Sequence, residues 1–360
     1  MRLKSTLCVS AFLLSASSLS AAVGACRPIN SFEQGHELRQ SQLAAAYNAP
    51  ARIDVRGSWD IYFTGGYIFW QPSEENLELG ISNSSATVGL PIDGNVVDMN
   101  FKYKSGFKAA LGIFSDLDNW DALIEYTWLT GRHSSHSNGP TSGGIIPFWG
   151  HPANVASAIA SGKSRWRLNL DFLDLNLGRS CYVGTRLIFR PFFGARGAWI
   201  DQKYTVTYTP SDDTDNVPYQ IRNTTTSWGV GPEIGLTTSW LLGYGVRLIG
   251  KAEGDLLFTR YNLRIKEQKS TPSSTLAVNL RQKHIYYLRP HLDMELGLGW
   301  GTYLSNHNYH LDLSATYDFQ VLWNQNMFRT FVDSTSVGKS LAPDGDLFLQ
   351  GLTANLRFDF

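Results

Sequence analysis

Few residues in this 360-residue sequence stand at spacings that chemistry could use. His291 and Asp293 are two apart in a segment of alternating polarity, so they share a face, as a His–Asp pair moving a proton to or from water would need. A ladder of buffered charges explains the same spacing equally well. His133 and His136 lie in a Ser- and Asn-rich stretch, and no carboxylate between Glu125 and Asp171 is there to orient either ring. A barrel protease of the omptin sort would need such carboxylates at its outer rim. No serine sits in a recognisable nucleophile elbow. His307 and His310 are three apart with no third ligand converging, and they read as polar turn residues. Gly229 to Gly235 imitates a phosphate loop, but no helix follows it. The expectation is a protein without catalytic residues, metal or cofactor.

The elements that would carry these residues are strands. From Asp98 onward apolar residues recur with period two. In 284–300, Tyr286, Leu288, Leu292, Met294, Leu296, Leu298 and Trp300 share one face, opposed by Arg289, His291, Asp293 and Glu295. In 309–323, Tyr309, Leu311, Leu313, Tyr317, Phe319 and Trp323 oppose His310, Asp312 and Asp318. These runs exceed the five or six residues usual in soluble strands and suit strands that cross a bilayer with one face on lipid. Aromatics begin and end several apolar faces, as at Trp120/Trp128 and Tyr286/Trp300, which is the placement of interfacial girdles. A soluble β-sandwich with long core faces is the alternative.

Composition agrees. Only 17% of residues are charged and 43% are hydrophobic, with 11 Trp, 16 Tyr and 19 Phe; about 25% charged is usual in a soluble domain. The 31 basic and 31 acidic residues cancel, which argues against a nucleic-acid partner. Past the N-terminus no apolar run reaches the ~18 residues of a membrane helix.

Arg2 and Lys4 followed by the apolar stretch 7–14 and small residues to Ala25 have the layout of a secretory signal peptide. Cleavage after Ala25 is favoured over Ala21 or Ala22, giving residues 1–25 as signal. The alternative is a lipoprotein, since residues 23–26 loosely resemble a lipobox. Cys26 and Cys181 then remain and can form one bridge in an oxidising compartment, crosslink neighbouring molecules, or do neither. Residues 26–55 are expected to form a separate periplasmic or plug segment, in which 31–49 favours a short helix that Pro50 ends and that either plugs the lumen, packs under the barrel or stays mobile. Residues 56–360 are the barrel.

The expected fold is all-β: a transmembrane antiparallel up-and-down β-barrel of about ten strands, with eight to twelve allowed. The strands are expected near 57–70, 98–114, 119–131, 165–182, 188–208, 224–240, 246–263, 284–300, 309–323 and 346–360. The fourth changes phase between Phe172 and Leu173, which one extra residue in a β-bulge would explain. Short connections near 115–118, 183–187, 241–245 and 301–308 alternate with long polar ones near 71–97, 132–164, 209–223, 264–283 and 324–345, as periplasmic turns and outer loops do. The last strand alternates through Leu352, Ala354, Leu356 and Phe358 to a C-terminal Phe360. This resembles the terminal insertion signal of bacterial outer-membrane barrels and implies a partner in the barrel-assembly machinery.

The stretch 61–72, Ile-Tyr-Phe-Thr-Gly-Gly-Tyr-Ile-Phe-Trp-Gln-Pro, continuing to Glu78-Leu79-Gly80, resembles the major outer membrane protein family, in its Legionella-type and Chlamydia-like branch. Residues 190–204, from Arg190-Pro191-Phe192-Phe193-Gly194 to Lys203-Tyr204, and the phrase 146–152, Ile-Pro-Phe-Trp-Gly-His-Pro, support the match. The resemblance implies an abundant barrel of the bacterial outer membrane with porin-like permeability. Chlamydial members are cysteine-rich and crosslinked, whereas Cys26 and Cys181 alone do not make an extensive lattice.

On these strand phases the lumen is lined by Lys102, Lys104, Lys108, Arg165, Arg167, Arg190, Arg196, Arg247, Lys251, Arg289 and Arg357. Facing them are Asp121, Glu125, Asp171, Asp174, Glu233, Glu253, Asp255, Asp293, Glu295, Asp312, Asp318 and Asp359. The near balance implies little ion selectivity. The charges either orient polar solutes from opposite sides of the lumen or pair into ladders that fill it. The function expected is passive diffusion of ions and small solutes together with a part in envelope structure. The alternatives are an adhesin or structural barrel with a closed lumen, and an outer-membrane hydrolase. Outer-membrane lipid, small solutes and further copies of the chain are the remaining expected partners.

Overall fold

The alternating segments form strands, and the strands close on themselves. The computed structural model describes residues 49–360 except 58, 85–91, 116–118, 141–142, 154–158, 212–216, 270–276, 337 and 343. Ten long strands make the wall: β1 (Ile61–Glu74), β2 (Lys104–Phe114), β3 (Trp120–Asn138), β4 (Ile159–Arg179), β5 (Leu187–Pro210), β6 (Tyr219–Gly243), β7 (Val246–Lys269), β8 (Val278–Leu304), β9 (Tyr309–Asn326) and β10 (Gly345–Asp359). Each pairs antiparallel with its neighbours in the chain. β10 returns to β1 in an unbroken ladder from Tyr62–Asp359 to Glu74–Leu347. This is the expected ten-stranded barrel, and closure leaves its wall without a free edge. Between β6 and β7 only Tyr244 and Gly245 turn the chain, both with positive φ (53° and 81°), the conformation of a type I′ hairpin whose twist matches the strands.

The expected signal peptide and helix lie outside the described residues, as does Cys26. Residues 49–55 contain no helix; Pro50 instead bridges the backbone of Cys181.

Side chains on the outward face are apolar over a defined belt. One register row joins Trp128, Asp171, Trp199, Trp228, Arg260 and Tyr286 around β3–β8. Toward the short turns, Leu175, Leu177, Phe193, Leu248, Leu296, Leu298 and Leu313 are exposed, and Trp240, Trp300 and Tyr309 mark the other edge. Trp228 and Trp240 stand twelve residues apart on β6. At ~3.3 Å per residue and a tilt of roughly 40°, that is about 30 Å, close to the apolar thickness a membrane barrel presents.

Two expectations need correction. The ladders of β4 with β3 and β5 run without a register shift through Phe172 and Leu173, so there is no bulge. Trp166, Leu168, Leu170 and Phe172 point inward, and so do Asp174 and Asn176, while Leu173, Leu175 and Leu177 point outward. What switches is the medium, not the face: above Asp171 the wall leaves the lipid, its outside becomes polar and its inside apolar. The second correction follows from the first. β3–β8 extend well beyond the expected strands, into stretches read as loops (132–138, 159–164, 219–223, 264–269 and 278–283). There the inverted pattern of Arg, Ser and Thr outside resembles loop composition.

Candidate functional site

The interior of the barrel is the site that the fold builds, and it is filled. At membrane level three cations organise it. Arg196 on β5 donates Nε to Asp174 Oδ1 at 2.5 Å and Nη2 to Asp174 Oδ2 at 2.9 Å, with Nη1 reaching Asp255 Oδ2 at 2.9 Å and Nη2 bonded to Glu253. Lys251 on β7 lies 2.7 Å from Glu253, 3.6 Å from Asp293 and 3.5 Å from Glu295. Lys108 on β2 reaches Glu295 at 3.3 Å, Asp318 at 3.8 Å and Glu125 at 4.0 Å, and its ammonium lies 5.1 Å from the centre of the Trp70 ring. Gly66 lies opposite Lys108, and a Cβ there would clash with Asn355 Oδ1 and stand 3.2 Å from Lys108 Cβ, so glycine leaves room for both side chains on its flanks. Buried charges are tolerated only when paired in this way.

Nearer the short turns a second layer contains Arg190 on Asp121 (Nε–Oδ1 3.0 Å), Arg247 on Asp312 (2.5 Å), and Arg357 on Asp359 (2.5 Å) beneath the Tyr62 ring. His310 Nδ1 lies 3.1 Å from Asp359.

The outer mouth is closed by apolar packing. Leu77, Leu79, Trp149 and Phe328, from the connections after β1, β3 and β9, join Trp70, Trp166, Leu168, Tyr204 and Tyr208 in one buried cluster. Hydrogen bonds fasten the inserted segment: Tyr204 Oη donates to Leu77 O at 2.8 Å, Tyr208 Oη to Leu79 O at 2.5 Å, and Trp149 Nε1 to Glu78 O at 2.7 Å. Glu125, Arg247 and Lys251 keep partial exposure, but many inward side chains are sealed from solvent, including Arg196 (3% exposed) and Asp318 (0%). An open water column would leave them wet.

Residues 54–360 match the family described as Legionella pneumophila major outer membrane protein precursor. The chain belongs to that family. It is therefore an outer-membrane protein, and the resemblance read from residues 61–80, 146–152 and 190–204 points to the same family. No curated protein matches the chain. Among solved structures, the outer membrane protease OmpT from Escherichia coli shares 11% identity, covering 84% of this chain and 98% of that one with a TM-score of 0.43. A Pseudomonas aeruginosa FadL homologue shares 9% identity over 83% of this chain and 89% of that one, TM-score 0.27. The Pseudomonas putida toluene transporter TodX shares 7% over 83% and 89%, TM-score 0.26.

In this family member Lys108, Arg190, Arg196, Asp293, Glu295, Asp312 and Asp318 all face the interior. Arg289 does too, higher up, with Nε on Tyr261 Oη at 3.2 Å and Nη2 on Met327 Sδ at 3.0 Å. Lys102 is corrected: β2 begins only at Lys104, leaving Lys102 outside the ladder, whereas Lys104, opposite Trp70 at the end of β2, keeps the inward phase of Lys108. Arg165, Arg167 and Asp171 also move outside, because no bulge turns β4 over. Of the charges assigned to the lumen, eight cations then face eleven carboxylates, so the interior is acidic rather than balanced. His291 does not pair with Asp293. Its Nδ1 lies 2.7 Å from Asp255, directly opposite on β7, since facing residues on neighbouring strands are closer than residues two apart on one strand.

His133 is buried between Phe101 and Trp166 and accepts the Lys102 backbone N–H at 3.1 Å. Among the described residues no three His, Cys, Asp or Glu side chains form a metal-ligand group. Cys181 is buried at the base beside Pro50. Phe358 stacks on Tyr309 at 5.5 Å on the outward face. Tyr204 and Tyr208 were not legible as functional residues, because the carbonyls they hold belong to a connection with no periodic pattern.

Proposed function

We propose that this protein is an envelope-stabilising barrel whose lumen is shut at rest. The observation that carries this reading is the double filling of the interior, by ion pairs at membrane level and by apolar packing at the mouth. Ten strands enclose a lumen near the size that side chains alone can fill. A non-catalytic role fits the same geometry. His291–Asp255, the nearest approach to an acid–base pair, is enclosed with Arg196 where no macromolecular substrate has access.

A second reading, gated diffusion of small solutes, is favoured by the way the mouth is closed. The closing segment around Leu77–Leu79 is tied to the wall by hydrogen bonds from Tyr204 and Tyr208, and the short strand that follows it, Gly80–Asn83, pairs with Gly94–Val97 and Gly144–Pro147. Its displacement would expose an acid-rich lumen that prefers cations. Liposome swelling in a small uncharged sugar tests the resting state. Proteoliposomes of the refolded chain are expected to swell no faster than protein-free vesicles. Fast swelling would replace the closed barrel with an open porin.

A further inference from the structure

Cations are concentrated on the outer wall of the barrel just above the lipid belt. Arg132, Arg167 and Lys203 stand directly opposite one another on β3, β4 and β5, all on the outward face. The next row upward carries Arg165 and Arg222, separated by Thr205. Like charges facing each other across a ladder destabilise it, yet among the described residues none of these five makes an ion pair with a carboxylate. Arg167 Nε reaches only Asn169 Oδ1 at 3.4 Å, and Arg222 Nη2 only Gln220 at 2.9 Å, while Arg222 Nε is buried without a partner. Of the acids sharing this face, Asp171 accepts the Tyr126 hydroxyl at 2.5 Å. Asp201 lies one step nearer the lipid and forms no ion pair with the cluster.

The height of this cluster selects its counter-anion. Arg132 is four residues above Trp128 of the aromatic row, or about 10 Å along the membrane normal for a tilted strand, which is the outer margin of the headgroup layer, where the phosphates and sugars of a glycolipid stand. Two adjoining grooves of about 430 and 550 Å³ share Arg132 and Arg167 as lining. Directly below, Leu173, Leu175, Trp199 and Val230 are exposed on the same face. Cations above and a bare apolar track below match a single amphiphile.

We propose that this face binds a phosphorylated glycolipid of the outer leaflet, with its phosphates on Arg132, Arg167 and Lys203 and its acyl chains along Leu173 and Leu175. The bound lipid supplies the negative charge that the facing strands lack.

The test is native mass spectrometry of the full refolded chain in detergent with bis-phosphorylated lipid A, with the same lipid after phosphatase treatment, and with inorganic pyrophosphate. The R132Q/R167Q/K203Q variant is run in parallel, with heat-modifiable gel migration confirming that it folds. Phosphorylated lipid is expected to be retained at least tenfold more than the dephosphorylated form, and the variant is expected to erase that preference. Equal retention of both lipids, equal retention by folded variant and parent, or pyrophosphate binding as tightly as the lipid would each overturn the assignment. If the variant fails to fold, 0.5 M salt on the parent replaces it: selective retention is expected to collapse, and unchanged retention counts against the site.

Discussion

Lys108 and Glu295 meet at 3.3 Å across the barrel interior, although 187 residues separate them in the chain. The contact joins β2 to β8 through the lumen rather than around the wall, so it forms only when the barrel is closed. Lys108→Met would leave Glu295, Asp318 and Glu125 facing one another without their shared cation. The expected cost is about 3–5 kcal/mol, as for other broken buried pairs, read as a lowered urea midpoint in micelles. A change under 1 kcal/mol would mean that water reaches these groups.

The lipid belt makes an opposite demand on the outside. Leu296 lies between Tyr286 and Trp300 on β8 and is 63% exposed. Leu296→Arg is expected to destabilise by roughly 2–4 kcal/mol, the cost of a cation near the bilayer midplane. Arg165→Leu, above the aromatic row, is expected to change stability by less than ~0.5 kcal/mol. Equal effects at the two positions would displace the membrane from this level.

How much of this was legible follows from what alternation encodes. Leu288 to Trp300 and Leu313 to Tyr317 face lipid on one side and charge on the other, so the period-two signal marked their strands and inward residues such as Asp293 and Asp318. Above Trp128 and Trp228 headgroups and water lie outside and a largely apolar core inside, and the same rule assigned Arg165 and Arg167 to the wrong face. Lys102 was misplaced because strand ends carry no marker of their own in an alternating run. The Tyr204–Leu77 and Tyr208–Leu79 bonds were invisible because side-chain-to-carbonyl contacts over more than a hundred residues leave no local pattern.

At the C-terminus, Phe358 packs on Tyr309 and on Phe360 at 6.0 Å. Removing Phe360 takes away two backbone hydrogen bonds at the very end of the ladder, Trp59 N–H to Phe360 O and Phe360 N–H to Ile61 O, but none of the register pairs from Tyr62–Asp359 to Glu74–Leu347. The truncated chain is expected to refold in detergent as the parent does, while its assembly into the outer membrane of cells falls several-fold by surface-protease accessibility. Unchanged cellular assembly would show that Phe360 is not an insertion signal.

In the connection after β9, the Asp333 carboxylate accepts hydrogen bonds from Thr335 Oγ1, Thr335 N–H and Ser336 N–H, which hold its pKa down to about 2. A carboxyl depressed below its unfolded value favours the folded turn above pH ~4, and that support is lost as pH falls through about 2. Amide exchange at Thr335 and Ser336 is therefore expected to stay slow down to about pH 3 and to quicken below it. In Asp333→Asn the same amides are expected to exchange at one pH-independent level of protection.

The closed lumen depends most directly on Tyr204 and Tyr208, whose hydroxyls hold the Leu77 and Leu79 carbonyls inside the mouth. Single-channel recording of the refolded parent beside Y204F/Y208F reads that closure. The parent is expected to stay silent apart from rare brief openings, and the double variant to open more often with a reversal potential that favours cations. A steady current from the parent at insertion, unaltered in the double variant, would contradict a lumen sealed by this packing.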